Sequence, residues 1–139
     1  MLLAEKGRQA PPPRLEPAAQ HVAEAIAQWP NVNARSHWLL GDERVVDGAD
    51  FYLGDDELGH IHLDSEAHVA CSLAVADRLV EAKLARRFEW SRKFVVFDIR
   101  RQSEVEHALW LFRLSYDRRS GLAEAAILAR ISAYARASA

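Results

Sequence analysis

Apolar residues recur at helical spacing in four stretches of the chain. The first stretch follows Pro17, which suits the first turn of a helix, and it stops before Pro30. The second covers residues 73–85, the third residues 104–118, and the fourth, which is rich in alanine, lies within residues 121–139. This spacing predicts four helices, each with an apolar face that packs against a core.

The third of these stretches has the clearest start. Ser103 and Glu106 are spaced as in a capping box, in which the serine caps a backbone amide and the glutamate reaches back. Trp110 and Leu114 widen the apolar face until it nearly surrounds the helix. We therefore expect the fourth helix to cover these two residues, or to dock on another subunit.

The middle of the chain changes to short extended runs that are separated by turn residues. The pair Asp47-Gly48 is the strongest local signal for a tight hairpin, and further turns are predicted at residues 54–56 and 64–66. Residues 93–99 contain the apolar run 94–97, and this segment is the clearest buried strand in the sequence. Successive hairpins indicate an antiparallel meander.

Together these elements predict an α+β fold. We expect a two-layer sandwich in which an antiparallel meander sheet of four to six strands carries helices on one face. Residues 1–14 include Pro11–Pro13, which forbids a helix there, and we expect them to form a mobile leader. Residues 15–120 would form a single α+β domain, and residues 121–139 a C-terminal helix appended to it.

The composition narrows the class of protein. The chain has 139 residues, half of them apolar and 27% charged, which is ordinary for one globular domain. A net charge of −2 argues against a dedicated nucleic-acid binder. Acidic residues concentrate in the first half and basic residues in the second, so the two halves could attract each other within the fold or across a homodimer, or the difference only reflects which residues decorate which surface.

Cysteine content and hydropathy indicate the compartment. Cys71 is the single cysteine, so no internal disulfide forms, and we expect a buried, inert thiol in a reducing environment. The sequence contains no long apolar run for a membrane span and no signal-peptide core at its start. We therefore expect a cytoplasmic protein without a membrane partner.

The residues best suited to chemistry lie in the segment 57–71. Side chains alternate between the two faces of a strand, so His60 and His62 should project from the same face. If residues 64–66 reverse the chain, His68 lies opposite His62 on that face. Three imidazoles on a small surface can bind a metal, hold an anionic ligand or move protons.

Three interpretations of these histidines stay open. In the first, His60, His62 and His68 ligate zinc or another divalent metal, with Asp64 or Glu66 as a carboxylate ligand or partner. In the second, they bind a small molecule or act as acid and base near neutral pH. In the third, they are hydrogen-bonded histidines of a sheet without a ligand.

Neighbouring residues extend the second interpretation. Phe51 and Tyr52 on the adjacent predicted strand could supply an aromatic wall of the binding site, and His37 could join from the first strand. The chain contains no phosphate-binding loop, no dinucleotide-binding fingerprint and no nucleophile elbow. The sequence therefore identifies a candidate ligand site but not a reaction, and whether the protein is an enzyme is left open.

The histidine segment and two further segments of the chain resemble a known protein family. The run from Phe51 through the histidine segment, the strand at 94–99 and the helix containing Leu111 and Tyr116 together resemble the luciferase-family, or luciferase-like, domain of bacteria and fungi. The resemblance covers residues 30–118. It does not extend to the flavin-dependent bacterial luciferases, which are longer barrel proteins, or to the adenylate-forming beetle enzymes.

This resemblance implies a compact α+β domain in which one strand bears the paired histidines. The positions that match the family are Gly59, His60, His62, Asp64 and His68. Relatives have glycine or proline where this chain has Leu63, and prolines where it has residues 70–73, and these departures concern the ligand site rather than the fold.

Our preferred function is therefore a small ligand-binding or catalytic domain centred on His60, His62 and His68. The alternative is a non-enzymatic interaction module or subunit whose C-terminal helices bind a protein partner. That alternative requires an exposed apolar surface. Its expected members are Trp110, Leu114, Ile127 and Ile131.

Overall fold

The computed structural model describes residues 9–39 and 42–138. Its helices are α1 (Pro17–Ala27), α2 (Leu73–Glu81), α3 (Val105–Arg119) and α4 (Glu124–Ser138). Its strands are β1 (Val32–Leu39), β2 (Asp42–Leu53), β3 (Asp56–His62), β4 (Glu66–Ala70), β5 (Arg86–Arg87) and β6 (Phe94–Asp98). All neighbouring strands are antiparallel, in the order β1-β2-β3-β4-β6-β5. The predicted α+β fold with an antiparallel sheet and packed helices is confirmed.

The hydrophobic core lies between the sheet and the helices. Val22 and Ile26 of α1 and Leu111 of α3 are fully buried there, as the helical spacing of their apolar faces requires. Phe51 of β2 also faces this core, where its ring meets that of Phe112 edge-on with 5.9 Å between the centroids. The opposite face of the sheet is consequently available for polar side chains.

The prediction of a hairpin at Asp47-Gly48 is wrong. Both residues lie inside β2, which is paired antiparallel with β1 over its length, from Leu53 opposite Val32 to Asp42 opposite Leu39. Gly48 has a φ of +154°, and a Cβ there would lie 2.0 Å from the carbonyl oxygen of Ile61. Glycine is needed at this position because β3 approaches closely, not because the chain turns.

The predicted capping box at Ser103 and Glu106 is also wrong, although a helix does begin there. Instead, a carboxylate oxygen of Glu104 accepts hydrogen bonds from the amides of Arg100 and Arg101, at 3.1 and 2.9 Å. A short 3-10 turn contains Glu104 and precedes α3, so the group that binds these amides lies one residue beyond the predicted serine.

The C-terminal helix covers α3, one of the two expected arrangements. Trp110 stacks on Tyr134 with 3.8 Å between ring centroids, and Leu114, Ile127 and Ile131 are buried. These apolar residues therefore belong to the core and do not form the exposed partner surface that the interaction-module alternative requires. None of the helices in the described part of the chain has the length and apolarity needed to span a bilayer.

The described part of the predicted leader lies along β1. The amide of Ser36 donates to the carbonyl oxygen of Ala10 at 2.9 Å, and its hydroxyl donates to that of Pro11 at 2.6 Å. The proline-rich segment thus covers part of an edge strand, which blocks pairing with another chain there. Residues 1–8 of the predicted leader lie outside the described residues.

Candidate functional site

A row of ionisable side chains crosses the face of the sheet opposite the core. Strand register places Arg35 of β1 opposite Asp50 of β2, Asp50 opposite His60 of β3, and His60 opposite His68 of β4. All four residues are more than nine-tenths buried. Buried ionisable groups are costly unless they are paired, so this row is an unusual use of a sheet face.

Four imidazoles meet on this face and are called here the histidine cluster: His37, His60, His62 and His68. His37 stacks on His60 with 4.1 Å between the ring centroids, and the rings of His62 and His68 are 4.6 Å apart. His60 lies 4.9 Å from His62 and 4.8 Å from His68. Gly48 pairs with both His37 and His62, and because it has no side chain, these two rings approach within 5.1 Å.

Each imidazole contacts its own carboxylate. The pairs are His37 Nδ1 with Asp50 at 2.7 Å, His60 Nδ1 with Glu57 at 3.3 Å, His62 Nδ1 with Asp47 at 2.8 Å and His68 Nε2 with Glu66 at 2.7 Å. An ionised carboxylate only accepts hydrogen bonds, so the ring nitrogen that faces it carries the proton. The second nitrogen of each neutral ring then carries a lone pair, which is the form that binds metals.

The contact between His60 and His68 shows the consequence of placing the protons on the nitrogens that face the carboxylates. His60 Nε2 lies 3.2 Å from His68 Nδ1, and the other nitrogens of these rings face Glu57 and Glu66. Two neutral imidazoles have only two N–H groups, and the carboxylates use both. Two lone pairs therefore point at each other, and a cation between them would turn this repulsion into attraction.

Burial disfavours a proton as that cation. Burial lowers the pKa of His60 to about 4, against the opposing effect of the nearby Glu57 carboxylate. Burial also lowers the pKa of His68, although its hydrogen bond to Glu66 acts in the opposite direction. Both rings are therefore neutral at pH 7, which is the protonation state required of metal ligands.

Two groups of three side chains on this face have donor atoms within 4.8 Å of one another. One group is His37, His60 and His62, and the other is Asp50, Glu57 and His60. Arg35 lies opposite Asp50 of the second group in the strand register. The first group consists of imidazoles alone, a donor set that suits zinc, copper, nickel or iron.

The structure places two of the predicted site residues away from the cluster. Phe51 points into the core on the other face of the sheet, because it alternates with Asp50 along β2. Asp64 is an exposed turn residue whose carboxylate accepts the amide of Glu66 at 3.0 Å. His60, His62 and His68 do come together, and His37 joins them.

Sequence reasoning missed three of the carboxylates: Asp47, Asp50 and Glu57. The glycine after Asp47 predicts a turn at this position, yet the side chain of Asp47 pairs with His62. Asp50 had a usable signal, since it precedes a core-facing aromatic residue by one position and therefore shares the histidine face.

Aromatic residues lie next to the histidine cluster. The ring of Phe88 lies 4.6 Å from that of His68, and the ring of Phe94 lies 5.9 Å from that of His60. Tyr52 is buried and pairs with Glu57 in the strand register, and burial raises the pKa of its phenol far above the ordinary value. An aromatic wall is thus present, but Phe88 and Phe94 contribute to it where Phe51 was expected.

Two other residues with potentially reactive side chains, Cys71 and His107, have surroundings that are typical of structural residues. Burial raises the pKa of the Cys71 thiol to about 12, so it stays protonated and weakly nucleophilic. His107 contacts the carbonyl oxygen of Leu84 at 2.6 Å and the hydroxyl of Tyr134 at 2.9 Å. It thereby links α3 to α4 and lies outside the histidine cluster.

Comparison with known proteins gives a family match over the part of the chain that contains most of the histidine cluster. The family model described as Luciferase domain matches residues 55–115, from the start of β3 into α3, which is less than half of the chain. The match confirms the resemblance to a luciferase-like domain, and it includes three members of the histidine cluster, His60, His62 and His68. No curated protein and no solved structure shows a significant match to the chain.

Proposed function

We propose that this domain binds a divalent transition-metal ion at the histidine cluster and that the ion binds or activates a small-molecule ligand. The observation that carries the proposal is the 3.2 Å approach of His60 Nε2 to His68 Nδ1 while the other nitrogen of each ring faces a carboxylate. A transition-metal ion is the cation that this arrangement suits best, because it binds neutral imidazoles and burial keeps them neutral.

The spacing of these two nitrogens agrees with a tetrahedral ion. Zinc–nitrogen bonds are about 2.0–2.1 Å long, so two nitrogen ligands at the tetrahedral angle lie roughly 3.3 Å apart. The observed separation between His60 Nε2 and His68 Nδ1 is 3.2 Å. His37 and His62 offer further nitrogens near His60, since donor atoms of these three side chains lie within 4.8 Å of one another, whereas His68 belongs to neither such group of three among the described residues.

The charges around the cluster favour a divalent ion. Four carboxylates contact the imidazoles, which metal ligation requires to be neutral, while Arg35 opposes one carboxylate in the register and Arg86 binds another at 3.1 Å. Two negative charges are left over, the amount that a divalent cation neutralises. The carboxylates are Asp47, Asp50, Glu57 and Glu66.

The carboxylates also orient the ligands. Each holds one ring nitrogen protonated and so leaves the other nitrogen able to bind a metal, an arrangement that is common around zinc-bound histidines. An ion held by three imidazoles keeps one position for water or a ligand, and it can then act as a Lewis acid or lower the pKa of bound water.

The proposal is tested by metal binding to the purified protein. Elemental analysis and calorimetric titration with zinc should detect one tightly bound ion per chain. The double variant His60→Gln/His62→Gln should lose that ion, whereas His21→Gln, which alters an exposed histidine of α1, should keep it. A wild-type protein that binds no ion after chelator treatment and reloading, or a double variant that binds zinc as tightly as the wild type, would contradict the proposal.

A further inference from the structure

We infer that the ligand of this metal site is an uncharged molecule that donates hydrogen bonds, and that the site rejects small anions. This inference rests on the proposed function and adds the chemical class of the ligand. It follows from the distribution of charge around the histidine cluster.

The charge balance leaves no attraction for an anion. A divalent ion would neutralise the two negative charges that remain after Arg35 and Arg86 are counted against the four carboxylates. Arg86 is moreover shared, since its NH2 group contacts Asp98 at 3.2 Å as well as Glu66 at 3.1 Å. Among the side chains described around the cluster, the negative charge is thus at least as large as the positive charge of the ion, and an anionic ligand would add a net negative charge to a partly buried site.

The solvent-exposed part of the site also carries negatively charged side chains. The side chains of Asp47 and Glu66 are 31% and 32% exposed, whereas those of Asp50 and Glu57 are 1% and 11% exposed. A ligand that approaches from solvent therefore meets Asp47 on one side, and on the other Glu66 with its partner Arg86, whose side chain is 54% exposed. Carboxylates repel anions and accept hydrogen bonds, so they favour a ligand with an O–H or N–H group next to its metal-binding atom.

The inference is tested with two small nitrogen donors that differ in charge. Imidazole is neutral and carries an N–H group, whereas azide is an anion. With cobalt-loaded protein, whose visible absorption changes when the ion gains a ligand, imidazole should bind at least about tenfold more tightly than azide, because one unfavourable charge contact in a partly buried site is worth roughly that factor.

Variants of the two exposed carboxylates should change this preference. Asp47→Asn and Glu66→Gln should each strengthen azide binding about three- to tenfold without strengthening imidazole binding. Asp117→Asn on α3 removes one negative charge on the helix side of the sheet, where Asp117 pairs with Arg113 and Arg130, and it should leave both affinities unchanged.

The outcomes separate the two proposals. Azide that binds wild-type protein as tightly as imidazole, or azide binding that is unchanged in both carboxylate variants, overturns the inference while the metal site stands. Wild-type protein that takes up no cobalt overturns the proposed function and this inference with it. If both variants lose cobalt, the wild-type protein still tests the inference through its salt dependence. Salt screens repulsion, so azide should bind the wild type more tightly as ionic strength is raised with perchlorate. A fall in azide affinity would contradict the inference.

Discussion

Burial of His60 makes the stability of the metal-free protein depend on pH. Burial lowers its pKa to about 4 in the folded state, whereas an exposed histidine in the unfolded chain has a pKa of 6.5. The unfolded state therefore binds the proton more tightly, and stability falls as the pH drops from 6.5 toward 4. At about 1.4 kcal/mol per pKa unit, the full loss from this one group is about 3 kcal/mol.

The assay is urea unfolding of the metal-free protein at a series of pH values across this window. Other groups titrate there too, so the informative quantity is the difference between the wild type and His60→Gln. The variant should lack about 3 kcal/mol of the pH dependence, and His21→Gln, in which an exposed histidine is replaced, should retain it. Parallel pH profiles for the wild type and His60→Gln would refute the argument that burial keeps this ring neutral.

Three further predictions concern stability. Zinc at 100 times its dissociation constant should raise the free energy of unfolding by about 2.7 kcal/mol, measured by urea unfolding, and a zinc-independent transition would count against the site. Gly59→Ala should lower the free energy of unfolding by more than about 2 kcal/mol, because the added Cβ would lie 2.4 Å from the carbonyl oxygen of His68. Its control is Gly54→Ala, whose Cβ has nothing within 4 Å and which should cost only the roughly 1 kcal/mol of its positive φ. Leu111→Ala in the core should lower the free energy of unfolding by about 2–5 kcal/mol, measured by thermal or urea unfolding, whereas Leu63→Ala at an exposed position should lower it by less than about 0.5 kcal/mol. Equal losses in the two variants would contradict the burial pattern.

Local patterns predicted the elements well where one face of an element is apolar. The helical spacing after Pro17 predicts α1, and the continuous apolar run that follows Lys93 predicts β6, because burial of a contiguous face selects one secondary structure. The errors occurred where a local signal had a tertiary cause. Gly48 marks the close approach of β3 rather than a turn, and sequence alone does not distinguish these two uses of glycine.

The sequence by itself determined that His60 and His62 share one face of a strand, since alternation is a property of any extended backbone. Only the tertiary structure decided that His37 stacks on His60 and that Asp47 pairs with His62, because strand register brings together residues from β1, β2 and β3. Register depends on the whole set of cross-strand contacts and on the core behind the sheet. The histidine pair is therefore local information, whereas the charge that surrounds it is a product of the fold.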